Sequence, residues 1–243
     1  PAGFYYKTFM WPKSFWYKIY EPLIRKAAGL GIASIEKDRE RYEHKYEYCD
    51  LLVTGSGPAG LSSTYAAAKN GAKVILVEDK PRFGGTLLTD DVTIDNLSGK
   101  AWTDKIINEL KKMPNVIVKN RSQVFGYYDH NMTVMIERTG DHLKDKPKYI
   151  PRQRLWYIRA KEVLLSTGSI ERPIVFGNND TPGVFLSAAV KEYIKVYGVL
   201  IGKKPLIFTN NDSAYETALE FKKQGIDPII LDTREEHSSE LID

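Results

Sequence analysis

Leu51-Leu52-Val53-Thr54-Gly55-Ser56-Gly57-Pro58-Ala59-Gly60-Leu61, followed by Lys73-Val74-Ile75-Leu76-Val77-Glu78, decides the fold of this chain. Residues 50–54 read as a short buried strand, residues 61–70 as a small-residue helix, Gly71-Ala72 as a turn and residues 73–78 as a second strand. The glycine pattern sits where such a β-α-β unit needs it. Gly55 permits the tight turn, Gly57 lets backbone approach a pyrophosphate, and Gly60 lets helix and strand pack closely. The helix start, through Ser56, Pro58 and Ala59, offers partial positive charge to phosphates. Glu78, 18 residues beyond Gly60 and followed by Asp79, ends the second strand. It is placed to accept hydrogen bonds from an adenosine ribose and to repel a 2′-phosphate, which favours NAD over NADP.

Working outward, Gly84-Gly85-Thr86 follows the second strand closely, where a second glycine pair can approach the same pyrophosphate. Residues 102–112 read as an amphipathic helix closed by Pro114. Residues 116–119, 121–128, 131–137, 154–160 and 162–166 read as strands, with a turn at His130-Asn131 and a charged loop over 141–148. A helix over 186–197, a strand over 205–209, a helix over 213–224 and a strand over 228–231 suggest a second β-α-β unit. Its turn, Thr209-Asn210-Asn211-Asp212-Ser213-Ala214, lacks glycine, and the Asn and Asp side chains occupy the space a pyrophosphate would need.

Upstream, nine of the first twenty residues are aromatic: Phe4, Tyr5, Tyr6, Phe9, Trp11, Phe15, Trp16, Tyr17 and Tyr20. A helix opened by Pro12 and a second turn begun at Pro22 and stopped by Gly29 would make this an arm for a partner surface or for the chain's own body. The charged run over 36–48 reads as a solvated linker helix. The expected divisions are therefore an arm and linker helix over 1–48, a dinucleotide-binding domain over 49–173, a connection over 174–203 and the start of a second unit over 204–243. The fold class is α/β: a Rossmann-type FAD/NAD(P)-binding domain with a second, incomplete nucleotide-binding-like unit and an N-terminal aromatic and helical arm.

Composition bounds the function. The 243 residues are 42% hydrophobic and 27% charged, as in a globular chain. A formal net charge of +4 is too mild for a dedicated nucleic-acid binder, and no run approaches the roughly 20 apolar residues of a membrane span. The lone Cys49 excludes an intrachain disulfide, a CxxC redox pair and a cysteine-rich zinc site, and fits the reducing cytoplasm. The four histidines show no metal-ligand spacing, so no metal is expected. The start at Pro1, without an initiator Met or a signal-peptide core, reads as a piece of a longer chain. No acid or base has a partner fixed by spacing, and no catalytic residue is nominated.

Gly84-Gly85-Thr86, Leu164-Leu165-Ser166-Thr167-Gly168 and Asp180-Thr181-Pro182-Gly183-Val184, with the first fingerprint, resemble the two-dinucleotide-binding flavoproteins of glutathione-reductase type. That resemblance implies that Gly85, Thr86, Thr167 and Gly168 lie near the cofactor and that backbone near Val124 faces the adenine. Residues 1–12, Ile170-Glu171-Arg172-Pro173 with 176–180, and Phe208-Thr209-Asn210-Asn211-Asp212 further resemble the α subunits of heterotetrameric sarcosine oxidases. This second resemblance implies NAD, with FAD as the alternative, at the first fingerprint. FAD, FMN and tetrahydrofolate would be held elsewhere in a complex with a flavin-bearing β subunit, smaller subunits and a C-terminal folate-binding domain. It implies oxidative demethylation of a secondary amine, with the amine left open among sarcosine, dimethylglycine and opines, and an inactive chain when isolated. A self-contained FAD-dependent NAD(P)H oxidoreductase is the alternative, and a non-catalytic interaction module built on the arm is a third reading.

Overall fold

A computed structural model describes residues 11–29, 31 and 34–234. The chain divides into two units, Pro1–Glu40 and Arg41–Asp243. In the first, a wide π turn over Trp16–Tyr20 leads into α1 (Glu21–Ala27), which has Pro22 in its first turn. Gly29 ends it with φ +66°, a conformation that a side chain would strain. Neither helical piece buries a residue, and Trp11 and Tyr17 are exposed. Phe4, Tyr5, Tyr6 and Phe9, counted above in the arm, lie outside the described residues.

The second unit is built on β1 (Tyr42–Thr54), α2 (Pro58–Lys69), β2 (Val74–Val77), a short hairpin β3 (Thr93–Ile94) and β4 (Leu97–Ser98), then α3 (Gly99–Leu110). It continues through β5 (Val116–Lys119), β6 (Ser122–Tyr128), β7 (Met132–Glu137), β8 (Gln153–Leu165), α4 (Ser187–Lys195), β9 (Leu206–Thr209), α5 (Ser213–Lys223) and β10 (Ile229–Asp232). Six strands form one sheet in the order β5-β2-β1-β8-β7-β6. β5, β2, β1 and β8 run parallel, while β7 pairs antiparallel with β8 and β6 antiparallel with β7. The α/β expectation holds.

Strand alternation sends side chains to two cores. Val53, Val74 and Leu76 pack with Leu61 of α2 and Trp102, Ile106 and Leu110 of α3. Leu52, Ile75 and Val77 pack on the opposite face with Met135, Trp156 and Ile158. α3 starts where the Ser98 hydroxyl accepts the Ala101 amide at 3.3 Å. The β6–β7 turn carries positive φ at both His130 and Asn131, matching the right-handed twist of the strands it joins.

Two sequence expectations need correction. The linker helix over 36–48 is not formed: residues 42–48 are the first half of β1, so the 48/49 division falls inside a strand. Tyr42, His44, Tyr46 and Tyr48 are exposed while Glu43, Lys45 and Glu47 are half-buried, a period of two sustained by pairing with residues 153–159. The strands expected over 154–160 and 162–166 are one strand, β8, because β1 pairs along its whole length.

An acid sits inside this sheet. Glu137, at the end of β7, accepts the Trp156 indole at 2.7 Å, Lys119 at 2.8 Å and Arg154 at 3.0 Å. Burial raises its pKa, but these donors outweigh burial and lower it.

Ionic pairs tie α4 and α5 to the loop after β2. Lys191 meets Asp90 at 2.8 Å and Glu216 at 2.6 Å, and Lys195 meets Asp91 at 2.6 Å and Glu220 at 3.1 Å. Lys195 and Lys223 hold the Asp91 carboxyl at about 2, below its ordinary 3.8. Because the folded value lies below the unfolded one, the stability from this pairing is complete above the ordinary value and is lost as pH falls through about 2. Between about pH 5 and pH 2 the thermal midpoint of the wild type should therefore fall more steeply than that of Asp91→Asn. Parallel profiles would contradict the assignment.

Candidate dinucleotide site

The loop of residues 55–60 leaves the carboxyl end of β1 and enters α2, whose first residue is Pro58. Its three glycines answer to different demands. Gly55 has φ +101°, donates its amide to Val77 O at 2.8 Å, and a Cβ there would lie 2.2 Å from Ser166 O. A Cβ on Gly60 would lie 1.9 Å from Gly55 O. A Cβ on Gly57 would meet nothing within 4 Å. Packing thus demands glycine at 55 and 60, while Gly57 presents bare backbone to an open cradle at a helix start, the arrangement that receives a diphosphate.

The second glycine pair closes the cradle from below. Gly84 donates its amide to Ser56 O at 3.1 Å and to Ser56 Oγ at 3.2 Å. Gly85, at φ +55° and opening the 3-10 turn Gly85–Leu88 that contains Thr86, comes so close that a Cβ would lie 3.1 Å from Gly57 Cα. Ser166 and Thr167, followed by Gly168, leave the end of β8, with Ser166 and Thr167 against Gly55 and the Ser166 amide donating to Thr54 O at 2.8 Å. Residues 55–60, 84–86 and 166–168 therefore converge at the carboxyl ends of the parallel strands, where ligands of such sheets bind.

Glu78 and Asp79 end β2 differently. Glu78 is 7% exposed; its Oε2 accepts the amide and hydroxyl of Ser56 at 3.0 and 2.5 Å, and its Oε1 accepts the Lys80 amide at 3.0 Å. Burial, and then the neighbouring Asp79 carboxyl, push its pKa up. Asp79 is exposed, with its carboxyl beside that of Glu78. Val124 stands on β6, whose first residue Ser122 donates its amide to Glu78 O at 2.8 Å, and its side chain joins the second core. Sequence reasoning missed the Ser56–Glu78 bond and the part of Ser166, since a glycine pattern marks a loop but not what the loop packs on.

Elsewhere the structure narrows the chemistry. Burial pushes the Cys49 thiol up to about 12, leaving no thiolate at neutral pH. Among the described residues no cluster of His, Cys, Asp and Glu could hold a metal, and no helix is long and apolar enough to cross a membrane. In the second β-α-β unit, β9 and β10 pair in parallel around α5. Its turn is filled from within: Asn211 Oδ1 accepts the amide and hydroxyl of Ser213 at 3.0 and 2.6 Å. Arg234 joins Asp212 and Asp232 at 2.7 Å each.

Fold and site together define a Rossmann-type nucleotide-binding domain, and a model of the family described as FAD dependent oxidoreductase matches residues 50–132. L-proline dehydrogenase from P. horikoshii shares the fold, with a TM-score of 0.63 at 23% identity over 84% of this chain and 39% of that one. The chain is 47% identical over 234 residues to sarcosine oxidase subunit alpha of Rhizobium meliloti (strain 1021), covering 96% of this chain and 24% of the relative. It is 38% identical over 215 residues to sarcosine oxidase subunit alpha of Corynebacterium sp. (strain U-96), covering 87% and 22%. Along most of its length the chain is thus similar to sarcosine oxidase α subunits, and it spans about a quarter of the length of these relatives.

Proposed function

We propose that this chain is the dinucleotide-holding part of the α subunit of a sarcosine-oxidase-type complex, an oxidoreductase that demethylates sarcosine and passes the one-carbon unit to tetrahydrofolate. The 55–60 loop holds NAD. The family description supports FAD as the alternative occupant. FAD and FMN serve the reaction elsewhere, in a flavin-bearing β subunit and its interface with α, and tetrahydrofolate in a C-terminal folate-binding region of α, in a complex that also has smaller subunits. The buried, unpaired Cys49 supports a cytoplasmic setting.

The observation that carries this reading is the open space at Gly57 between two glycines whose Cβ atoms would collide with backbone. The start of α2 receives the diphosphate, Gly85 bounds it, and Glu78, with Asp79 beside it, accepts the ribose hydroxyls. A 2′-phosphate would meet these carboxyl groups. Calorimetric titration should therefore show NAD binding on the order of a hundredfold tighter than NADP. Equal dissociation constants would overturn the ribose assignment, and binding of FAD with no binding of NAD would install the alternative. No residue of the chain is given an acid or base role, so peroxide formation with sarcosine should be absent until the flavin-bearing partner is added.

A further inference from the structure

We infer that the floor of the phosphate cradle is held in register from the far side of the chain by Lys191 and Lys195 of α4, acting as positioning residues; this rests on reading the 55–60 loop as a dinucleotide site. The floor is carried by the segment of residues 79–91, which touches the cradle through Gly84 and Gly85. Between β2 and the β3–β4 hairpin, this segment has one 3-10 turn as its regular structure. Its start is bonded by Arg121 and Asn120 and its middle is packed into the first core through Leu87, so the stretch gripped from outside by α4 is its far end at Asp90 and Asp91.

α4 and the residue after it supply four grips. Lys80 pairs with Glu192 at 2.7 Å, and Arg82 donates to Val196 O at 2.9 Å. These lie toward solvent, where an ion pair contributes little. The grips at the other end are of a different kind. The Lys191 and Lys195 side chains are only 11% and 17% exposed, so their desolvation is compensated only by the carboxylates they meet. Each amine is shared: Lys191 joins Asp90 of the loop to Glu216 of α5, and Lys195 joins Asp91 of the loop to Glu220 of α5. Ser187 and Thr217 add a hydroxyl contact between the two helices at 2.6 Å. The loop bearing the cradle floor is thus fixed to a pair of helices more than a hundred residues along the chain. Lys223 also meets Asp91 and Glu220, at 2.5 and 2.7 Å, and so backs up Lys195, whereas uncharging Lys191 leaves Asp90 and Glu216 without the cation they share and lets the loop move away from Gly57; a shift of about an ångström suffices to spoil a bound geometry.

The test uses ADP-ribose, which carries the diphosphate, and adenosine, which does not, as probes of the full 243-residue chain. Lys191→Met should weaken ADP-ribose roughly tenfold, leave adenosine unchanged, and speed hydrogen exchange at the amides of residues 84–91. Lys191→Arg should recover most of both effects by keeping the charge. Should Lys191→Met fail to fold, Asp90→Asn, which leaves Lys191 paired to Glu216, should show the same pattern more weakly. A folded variant that binds ADP-ribose within twofold of wild type, or that loses ADP-ribose and adenosine in equal proportion, would overturn the inference. If the wild type binds no ADP-ribose, the dinucleotide reading itself falls; unchanged exchange at 84–91 in Asp90→Asn would remove the grip independently of any ligand.

Discussion

Gly60→Ala is expected to destabilise the chain by about 3 kcal/mol, the upper part of the range for forcing an extra carbon into a packed interior. The added methyl would sit 1.9 Å from Gly55 O and 3.4 Å from Ser166 Cβ. The carbonyl has little freedom to retreat, because the Gly55 amide is bonded to Val77 O at 2.8 Å and Gly55 is itself pressed against Ser166 O. Relief therefore means parting α2 from β1, and with it the layer formed by Val53 and Leu61. The check is the urea midpoint of unfolding at constant slope. A midpoint equal to wild type would show that the close approach of helix and strand is not required.

Gly57→Val should do the reverse. Its Cβ meets nothing within 4 Å, and Gly57 already has φ −68° and ψ −175°, which valine adopts without strain. Stability should stay within about 0.5 kcal/mol of wild type. Dinucleotide affinity should fall by a hundredfold or more, because the branched side chain fills the space the phosphates need. Calorimetry beside a thermal melt reads both quantities. Wild-type affinity in the folded variant would refute the site, and a large loss of stability would show that the cradle is packed rather than open. The two glycines, three residues apart, thus separate a packing demand from a ligand demand.

The first β-α-β unit was legible because its glycines are spaced by a steric rule that holds whatever surrounds them. The His130-Asn131 turn was legible for a similar local reason, since Asn tolerates the left-handed region. The strand over 42–48 was not. Charges at 36–41 suggested a helical period, whereas the alternation of Tyr42, His44, Tyr46 and Tyr48 with Glu43, Lys45 and Glu47 is the period of a strand. Its pairing partner begins at Gln153, more than a hundred residues away. The same separation hid the ion pairs of Asp90 with Lys191 and of Asp91 with Lys195. Within the site, the loop and its glycine floor could be read from spacing. That Glu78 turns inward to Ser56 depends on which neighbouring side chain reaches the carboxylate, and a strand-end acid carries no sign of that in sequence.

Everything proposed for the cradle rests on an adenine dinucleotide held by the 55–60 loop. Mass spectrometry of the small molecules released when the purified chain, incubated with NAD and FAD and then desalted, is denatured tests it most directly. Close to one equivalent of NAD per chain is expected from wild type and none from Gly57→Val. Release of no dinucleotide from the folded wild type, or equal release from both proteins, would contradict it.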